Sequence, residues 1–144
     1  MAKILVVDDD PVMQLTVRRV LEQAGHAVTV AEDGSKGFAR SQAESFDLLL
    51  LDIFMPGMDG FEAMRRILQR RPNPPIIMIS GRPHTPDLIQ EPDYLTMALK
   101  LGAVSALPKP FKPAELLTMV ADCLASASQP VPSPRPNRDA LPNS

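Results

Sequence analysis

The stretch FDLLLLD, Phe46 to Asp52, decides the fold. Four consecutive leucines leave no polar face, so a strand built from them must be covered on both sides. The run is too short for a buried helix, and the loop-like IFMPGMDG that follows bounds it. A strand of this kind belongs at the centre of a parallel sheet with helices packed above and below it.

Working outward, the chain supplies those neighbours. KILVV, Lys3 to Val7, is a second apolar, β-branched run, and it ends in Asp8, Asp9 and Asp10. Pro11 then opens a helix, because the first turn does not need the N–H that proline lacks. Met13, Val17, Val20, Leu21 and Ala24 give that helix an apolar face, and Gly25 ends it. HAVTVA, His26 to Ala31, reads as a strand and Gly34 to Glu44 as a more polar helix. Beyond the central strand a helix is expected from Phe61 to about Arg71, with Phe61, Met64, Ile67 and Leu68 inward. PPIIMIS is a fourth strand ending at Ser80, and GRPHTPDLIQEPD has no clear period. A helix resumes at about Tyr94 and stops near Gly102. VSAL, Val104 to Leu107, is a short edge strand, and Pro113 to about Ala125 is a last helix facing inward with Leu117, Val120, Ala121 and Leu124. Five strands with intervening helices imply a parallel, doubly wound α/β domain, since parallel strands need crossovers.

Composition agrees with one domain and excludes several classes. The chain has 144 residues, enough for a single core, and its formal charge of −2 carries no nucleic-acid or anionic-membrane footprint. No apolar run is long enough to span a bilayer, and MAKILVVDDD is not a signal peptide. The single cysteine, Cys123, fits a reducing compartment, so a cytoplasmic location is expected. Five of the 16 prolines fall in SQPVPSPRPNRDALPNS. Residues 1–125 therefore read as the domain and 126–144 as a Pro-rich disordered tail.

In sheets of this class, ligands sit beyond the carboxyl ends of the strands. The first strand ends at Asp8-Asp9 and the third at Asp52. If these strands are neighbours, three carboxylates meet at one rim and raise one another's pKa, a conflict that a divalent cation relieves. Oxygen ligands suit Mg2+, with Mn2+ or Ca2+ as alternatives and zinc disfavoured. Asp52 can serve as a nucleophile that becomes an aspartyl phosphate. Such transfer needs mainly positioning and neutralisation of phosphoryl charge. Lys109, after the fifth strand, supplies a cation, and Ser80, ending the fourth, supplies a hydroxyl.

ILVVDDD, DLLLLDIFMPGMDG, IIMISG and GAVSALPKPF, in this order, resemble the motifs of the receiver domain of bacterial two-component response regulators. The resemblance covers about residues 1–125. It implies a flavodoxin-like sheet of order 2-1-3-4-5, Asp52 as phosphorylated residue and Asp8 and Asp9 as the metal-binding pair. It also implies Ser80 as switch hydroxyl, Lys109 as the partner lysine, the Phe54 carbonyl as a further metal ligand and a cis Lys109–Pro110 bond. Gly57 and Gly60 fit the family's turn after the phosphorylation site. A histidine kinase or phosphotransfer protein would donate phosphate, and a downstream protein target would receive the signal.

Two departures stand out. Ala106 occupies the position where the family usually carries a Tyr or Phe coupled to the switch hydroxyl. The stretch from Ser80 to Lys109 is also longer than usual, with three prolines, Pro83, Pro86 and Pro92, soon after Gly81. Output is therefore expected to be unusual, and Tyr94 is a candidate replacement aromatic.

Each feature has a plainer reading when taken alone. Asp10 before Pro11 caps a helix; Ser80 is a turn residue; Lys109 is a solvated charge. An acid ending so apolar a strand, as Asp52 does, asks for a reason. His26 and His84 lack metal-ligand spacing, Cys123 reads as core filler, and Arg65-Arg66 and Arg70-Arg71 read as a solvated face. Arg82 is a candidate for controlling water access to the acyl phosphate.

Three functions are in play. A stand-alone receiver, with no second domain and with output by protein contact, leads. A phosphohydrolase using an aspartyl nucleophile is disfavoured, because Phe54 cannot donate a proton and no cap domain is present. A receiver-like binding module that works without phosphate is the third. On the leading reading the protein is not an enzyme beyond its own phosphorylation and dephosphorylation.

Overall fold

Leu48, Leu49, Leu50 and Leu51 are fully buried, and the strand they form lies in the middle of the sheet. The computed structural model describes residues 1–70, 74–80 and 91–128, without the side chains of Ser80 and residues 91–95 and 127–128. The elements alternate: β1 (Lys3–Val7), α1 (Pro11–Gln23), β2 (Ala27–Ala31), α2 (Gly34–Ala43), β3 (Leu48–Asp52), α3 (Gly60–Leu68), β4 (Ile76–Ser80), α4 (Glu91–Leu101), β5 (Ser105–Pro108) and α5 (Pro113–Ser128). All strand pairs are parallel, in the order β2-β1-β3-β4-β5. This is the doubly wound parallel sheet expected from the alternation of elements, in the flavodoxin-like order that the family resemblance implies.

Period-two alternation divides the strands between two cores. Leu5, Val7, Leu49, Leu51 and Met78 point to one face, where Ala63, Met64 and Ile67 of α3 and Ala98 of α4 cover them. Ile4, Val6, Leu48, Leu50, Ile77 and Ile79 point to the other, against Val17 and Leu21 of α1 and Leu116 and Val120 of α5. Burying a leucine or isoleucine fully contributes about 1.5–3 kcal/mol over leaving it exposed, so these two layers dominate the stability. Parallel register then brings the carboxyl ends of β1 and β3 together, with Val7 opposite Leu51.

Several boundaries differ from the sequence expectation, each for a local reason. β2 starts at Ala27 because the His26 ring is engaged sideways, its Nδ1 accepting from the Ala2 N–H at 3.1 Å. β3 starts at Leu48, with the preceding Asp47 carboxylate accepting from the Lys3 N–H at 2.8 Å. α3 starts at Gly60, since Asp59 caps it, and its end at Leu68 tightens into i→i+3 bonds from Gln69 and Arg70. α4 begins at Glu91, ahead of Tyr94, because Pro92 falls in the first turn, where it is tolerated. β5 is shifted to Ser105–Pro108.

α5 runs on through Ser126 to Ser128, past the expected end at Ala125; Ala125 and Ala127 favour helix and no proline occurs before Pro130. Of the four residues expected on its inner face, Val120 is buried and Leu117 and Leu124 pack partly buried against the same core. Leu116 and Val120 are the buried pair, while Ala121 is exposed, as is Ala24 at the end of α1. Arg82, His84 and residues 129–144 lie outside the described residues.

Candidate functional site

The rim above β1, β3 and β5 collects the charged groups. Asp8 follows β1 directly and is 1% exposed; Asp52 ends β3 and is 4% exposed; Asp9 stands beside them in solvent. One carboxylate oxygen from each of the three lies within 4.8 Å of the others. Lys109, just past β5, extends its ammonium to Asp8 Oδ2 at 3.1 Å and to Asp52 Oδ1 at 3.5 Å. The Lys109–Pro110 peptide bond is cis, as the resemblance implied.

Asp8 is held on every side. Its Oδ1 accepts from the Asp10 N–H at 2.9 Å and its carbonyl accepts from Gln14 Nε2 at 2.6 Å. Asp10 caps α1, as expected, by accepting from the Val12 N–H at 3.0 Å. The three consecutive acids therefore divide their roles, with Asp10 serving the helix while Asp8 and Asp9 face the cluster. Gln14 escaped the sequence reading; the only signal was its place one turn into a helix that starts at the acidic run.

Asp52 is less well served. Lys109 stands at ion-pair distance, too long for a strong hydrogen bond, and Asp52 Oδ1 is buried with no hydrogen bond among the described residues. Burial first, and then the Asp8 charge, push the Asp52 carboxyl up to about 7, although Lys109 pulls the other way. Burial also acts to lower the Lys109 pKa, but Asp52 and Asp8 outweigh it and leave the ammonium more firmly protonated than usual. A buried acceptor without a donor is costly, and here it faces two further carboxylates. That donor set, all oxygen and net negative, fits a hard divalent cation.

Ser80 closes β4 opposite Pro108, next to Ile79, which pairs with Asp52; its hydroxyl lies outside the described residues, as does the Tyr94 side chain. Phe54 is in the loop after Asp52 and packs partly buried against the core. Ala106 sits mid-strand in β5 opposite Met78, so no aromatic ring occupies that position. The remaining candidates stay away from the rim. Arg65 and Arg66, both exposed, pair with the partly exposed Glu62 at 2.7 Å, as a solvated helix face does. Cys123 is half-buried against the second core, where burial raises its thiol pKa. Burial also lowers the pKa of His26, which acts as a backbone acceptor. No helix among the described residues is long and apolar enough to cross a membrane.

Comparison with known proteins agrees with this geometry. The transcriptional regulatory protein ResD of Bacillus subtilis is 35% identical over 127 residues, which is 88% of this chain and 50% of ResD. TcrA of Mycobacterium tuberculosis, also a transcriptional regulatory protein, is 34% identical over 93% of this chain and 49% of its own length. The chain thus spans about half the length of the curated relatives it matches. Among solved structures, the chemotaxis protein CheY4 of Vibrio cholerae superposes with a TM-score of 0.72 at 32% identity, covering 85% of this chain and 98% of CheY4. A CheY-like receiver domain protein from Methanospirillum hungatei gives 0.78 at 29% identity, covering 88% and 96%. Residues 4–121 match the family described as the response regulator receiver domain, and the chain belongs to that family.

Proposed function

We propose that this receiver accepts a phosphoryl group on Asp52 from a phosphohistidine of a sensor kinase or phosphotransfer protein, and that it does so in the cytoplasm with Mg2+ bound. The observation that carries the proposal is the buried Asp52 Oδ1, without a hydrogen bond among the described residues, beside Asp8, Asp9 and the Lys109 ammonium. In the transfer, an Asp52 oxygen forms a bond to phosphorus as the phosphorus–nitrogen bond breaks, and the imidazole leaves with that electron pair. Asp8, Asp9, Asp52 and the Phe54 carbonyl would hold the cation, with Mn2+ as a substitute. Bound there, it offsets the carboxylates and neutralises phosphoryl charge. Lys109 pairs with a phosphoryl oxygen once phosphate replaces the bare carboxylate, and Ser80 donates to another. The protein turns over no separate substrate; it promotes its own phosphorylation and dephosphorylation.

Output is proposed to pass by contact with a downstream protein target, without direct nucleic-acid binding or membrane insertion. The acyl phosphate biases a two-state equilibrium toward the form that binds that target.

The direct test is intact mass after incubation with acetyl phosphate, with and without Mg2+. Wild type is expected to gain one phosphoryl group only with Mg2+, and Asp52→Asn none. No gain in wild type, with acetyl phosphate or with candidate kinases, would refute the proposal. A second reading, a binding module that works without phosphate, draws on Ala106 at the usual aromatic position. Undiminished partner binding by Asp52→Asn would favour it.

A further inference from the structure

α2 and α3 begin in the same way. An aspartate caps each helix: Asp33 accepts from the Lys36 N–H at 2.8 Å and Asp59 from the Glu62 N–H at 2.9 Å. A buried glycine follows each cap, Gly34 and Gly60. Neither is among the glycines with positive φ, which are Gly25, Gly57 and Gly102, so backbone conformation does not demand glycine at these two places. Space does.

A Cβ on Gly60 would run into the Asp52 carbonyl oxygen and lie 2.7 Å from Ile53 Cα. A Cβ on Gly34 would run into the Met58 carbonyl oxygen and lie 3.1 Å from Met58 Cβ. The nearest obstructing atoms in both cases are backbone, which cannot swing aside as a side chain can. The Gly60 N–H also donates to the Ile53 carbonyl at 2.8 Å. The loop from Ile53 to Asp59 is therefore gripped at its start by the first residue of α3 and near its far end by the first residue of α2.

We propose that Gly34 and Gly60 are positioning residues that clamp this loop, and thereby fix Asp52 and the Phe54 carbonyl for a divalent cation and the incoming phosphoryl group. The proposal rests on the receiver reading above. Neither glycine touches the reacting atoms; both act through the backbone that carries them. Small displacements of metal-binding groups are expensive, and outer-shell changes typically weaken metal binding tenfold or more. Gly102 provides the comparison. Its φ of 127° and the Leu68 Cδ1 atom 2.6 Å from its would-be Cβ make alanine unfavourable there too, but at the other end of β5 from Lys109.

The test is calorimetric titration of the metal-free protein with Mg2+ alone, at a temperature where circular dichroism shows each variant folded. Gly34→Ala is expected to weaken Mg2+ binding by roughly tenfold, and Gly60→Ala by more. Gly102→Ala is expected to lower the thermal midpoint yet keep wild-type affinity. Wild-type affinity in both Gly34→Ala and Gly60→Ala would overturn the clamp. So would equal weakening in Gly102→Ala, because the effect would then be general loss of stability. If a clamp alanine does not fold, Met58→Gly carries the test, since it slackens the loop while adding no bulk. Weakened Mg2+ binding there supports the clamp and unchanged binding overturns it. A wild type that neither binds Mg2+ nor takes phosphate from acetyl phosphate fails the receiver reading and takes the clamp with it.

Discussion

Leu51 and Asp52 are adjacent on one strand, yet they belong to regions built on opposite terms. The sheet interior from Leu48 to Leu51 is dry, apolar and fully packed. One residue further, Asp52 is equally hidden, but it is a carboxylate with a bare oxygen facing two other acids. The interior lowers the free energy of the fold; the rim raises it. Proteins tolerate such local conflicts where function needs them, at the expense of stability gained elsewhere. Removing an apolar side chain from the interior and removing a carboxylate from the rim should therefore act in opposite directions.

The largest effect is expected inside the sheet. Leu50→Ala should cost about 2–5 kcal/mol in urea unfolding, through lost burial and a residual cavity. A value well under this range would mean that the interior is slack. Lys109→Met comes next, because it leaves Asp8 and Asp52 without the cation they face. Above neutral pH it should cost about 2 kcal/mol or more, less than a fully trapped charge pair because Asp52 can take up a proton. Asp52→Asn should go the other way, stabilising the metal-free protein by about 1–2 kcal/mol. Destabilisation by Asp52→Asn would break the comparison outright.

The pH dependence sharpens it. In the metal-free protein the folded Asp52 holds its proton to about 7, while an unfolded aspartate loses it near about 3.9. Between those values the folded state binds the extra proton, so the Asp52 contribution to stability is greatest at the acid end of the window. It is lost as pH rises toward 7. Urea midpoints in the presence of chelator should show this fall in wild type and lack it in Asp52→Asn. Added Mg2+ should restore wild-type stability most at the upper end of the window, by mass action on the folded state. The smallest effect is expected on the solvated face. Glu62→Gln, which removes the charged partner of the exposed Arg65 and Arg66, should leave the midpoint unchanged within error.

Much of this contrast is legible in the sequence. The four leucines announce a strand covered on both faces, and an acid at the end of such a strand announces a site. Strand order and the roles of Ser80 and Phe54 come from resemblance to a family, because no local pattern says which strands are neighbours. Helix faces are harder. In α5 the sequence LLTMVADCLA is apolar almost all round, so it does not tell Leu116 from Leu117; Val120, Leu117 and Leu124 do face the core, but Leu116 is the more deeply buried leucine and Ala121 is exposed. The clamp glycines are written as two Asp-Gly pairs, each a helix start. What makes them glycine is a neighbouring backbone, Met58 or Asp52, that only the fold brings close. Gln14 is equally silent until Asp8 stands beside it.

The central claim is that the buried acid ending β3 is the phosphoryl acceptor. The most direct measurement treats the protein with acetyl phosphate and Mg2+, reduces it with borohydride and locates the modified residue by peptide mass spectrometry. Borohydride converts an aspartyl phosphate to homoserine, so the account predicts homoserine at position 52 and an unmodified Asp8 and Asp9. Homoserine elsewhere, or intact aspartate at 52 in protein whose mass shows a phosphoryl group, would contradict it.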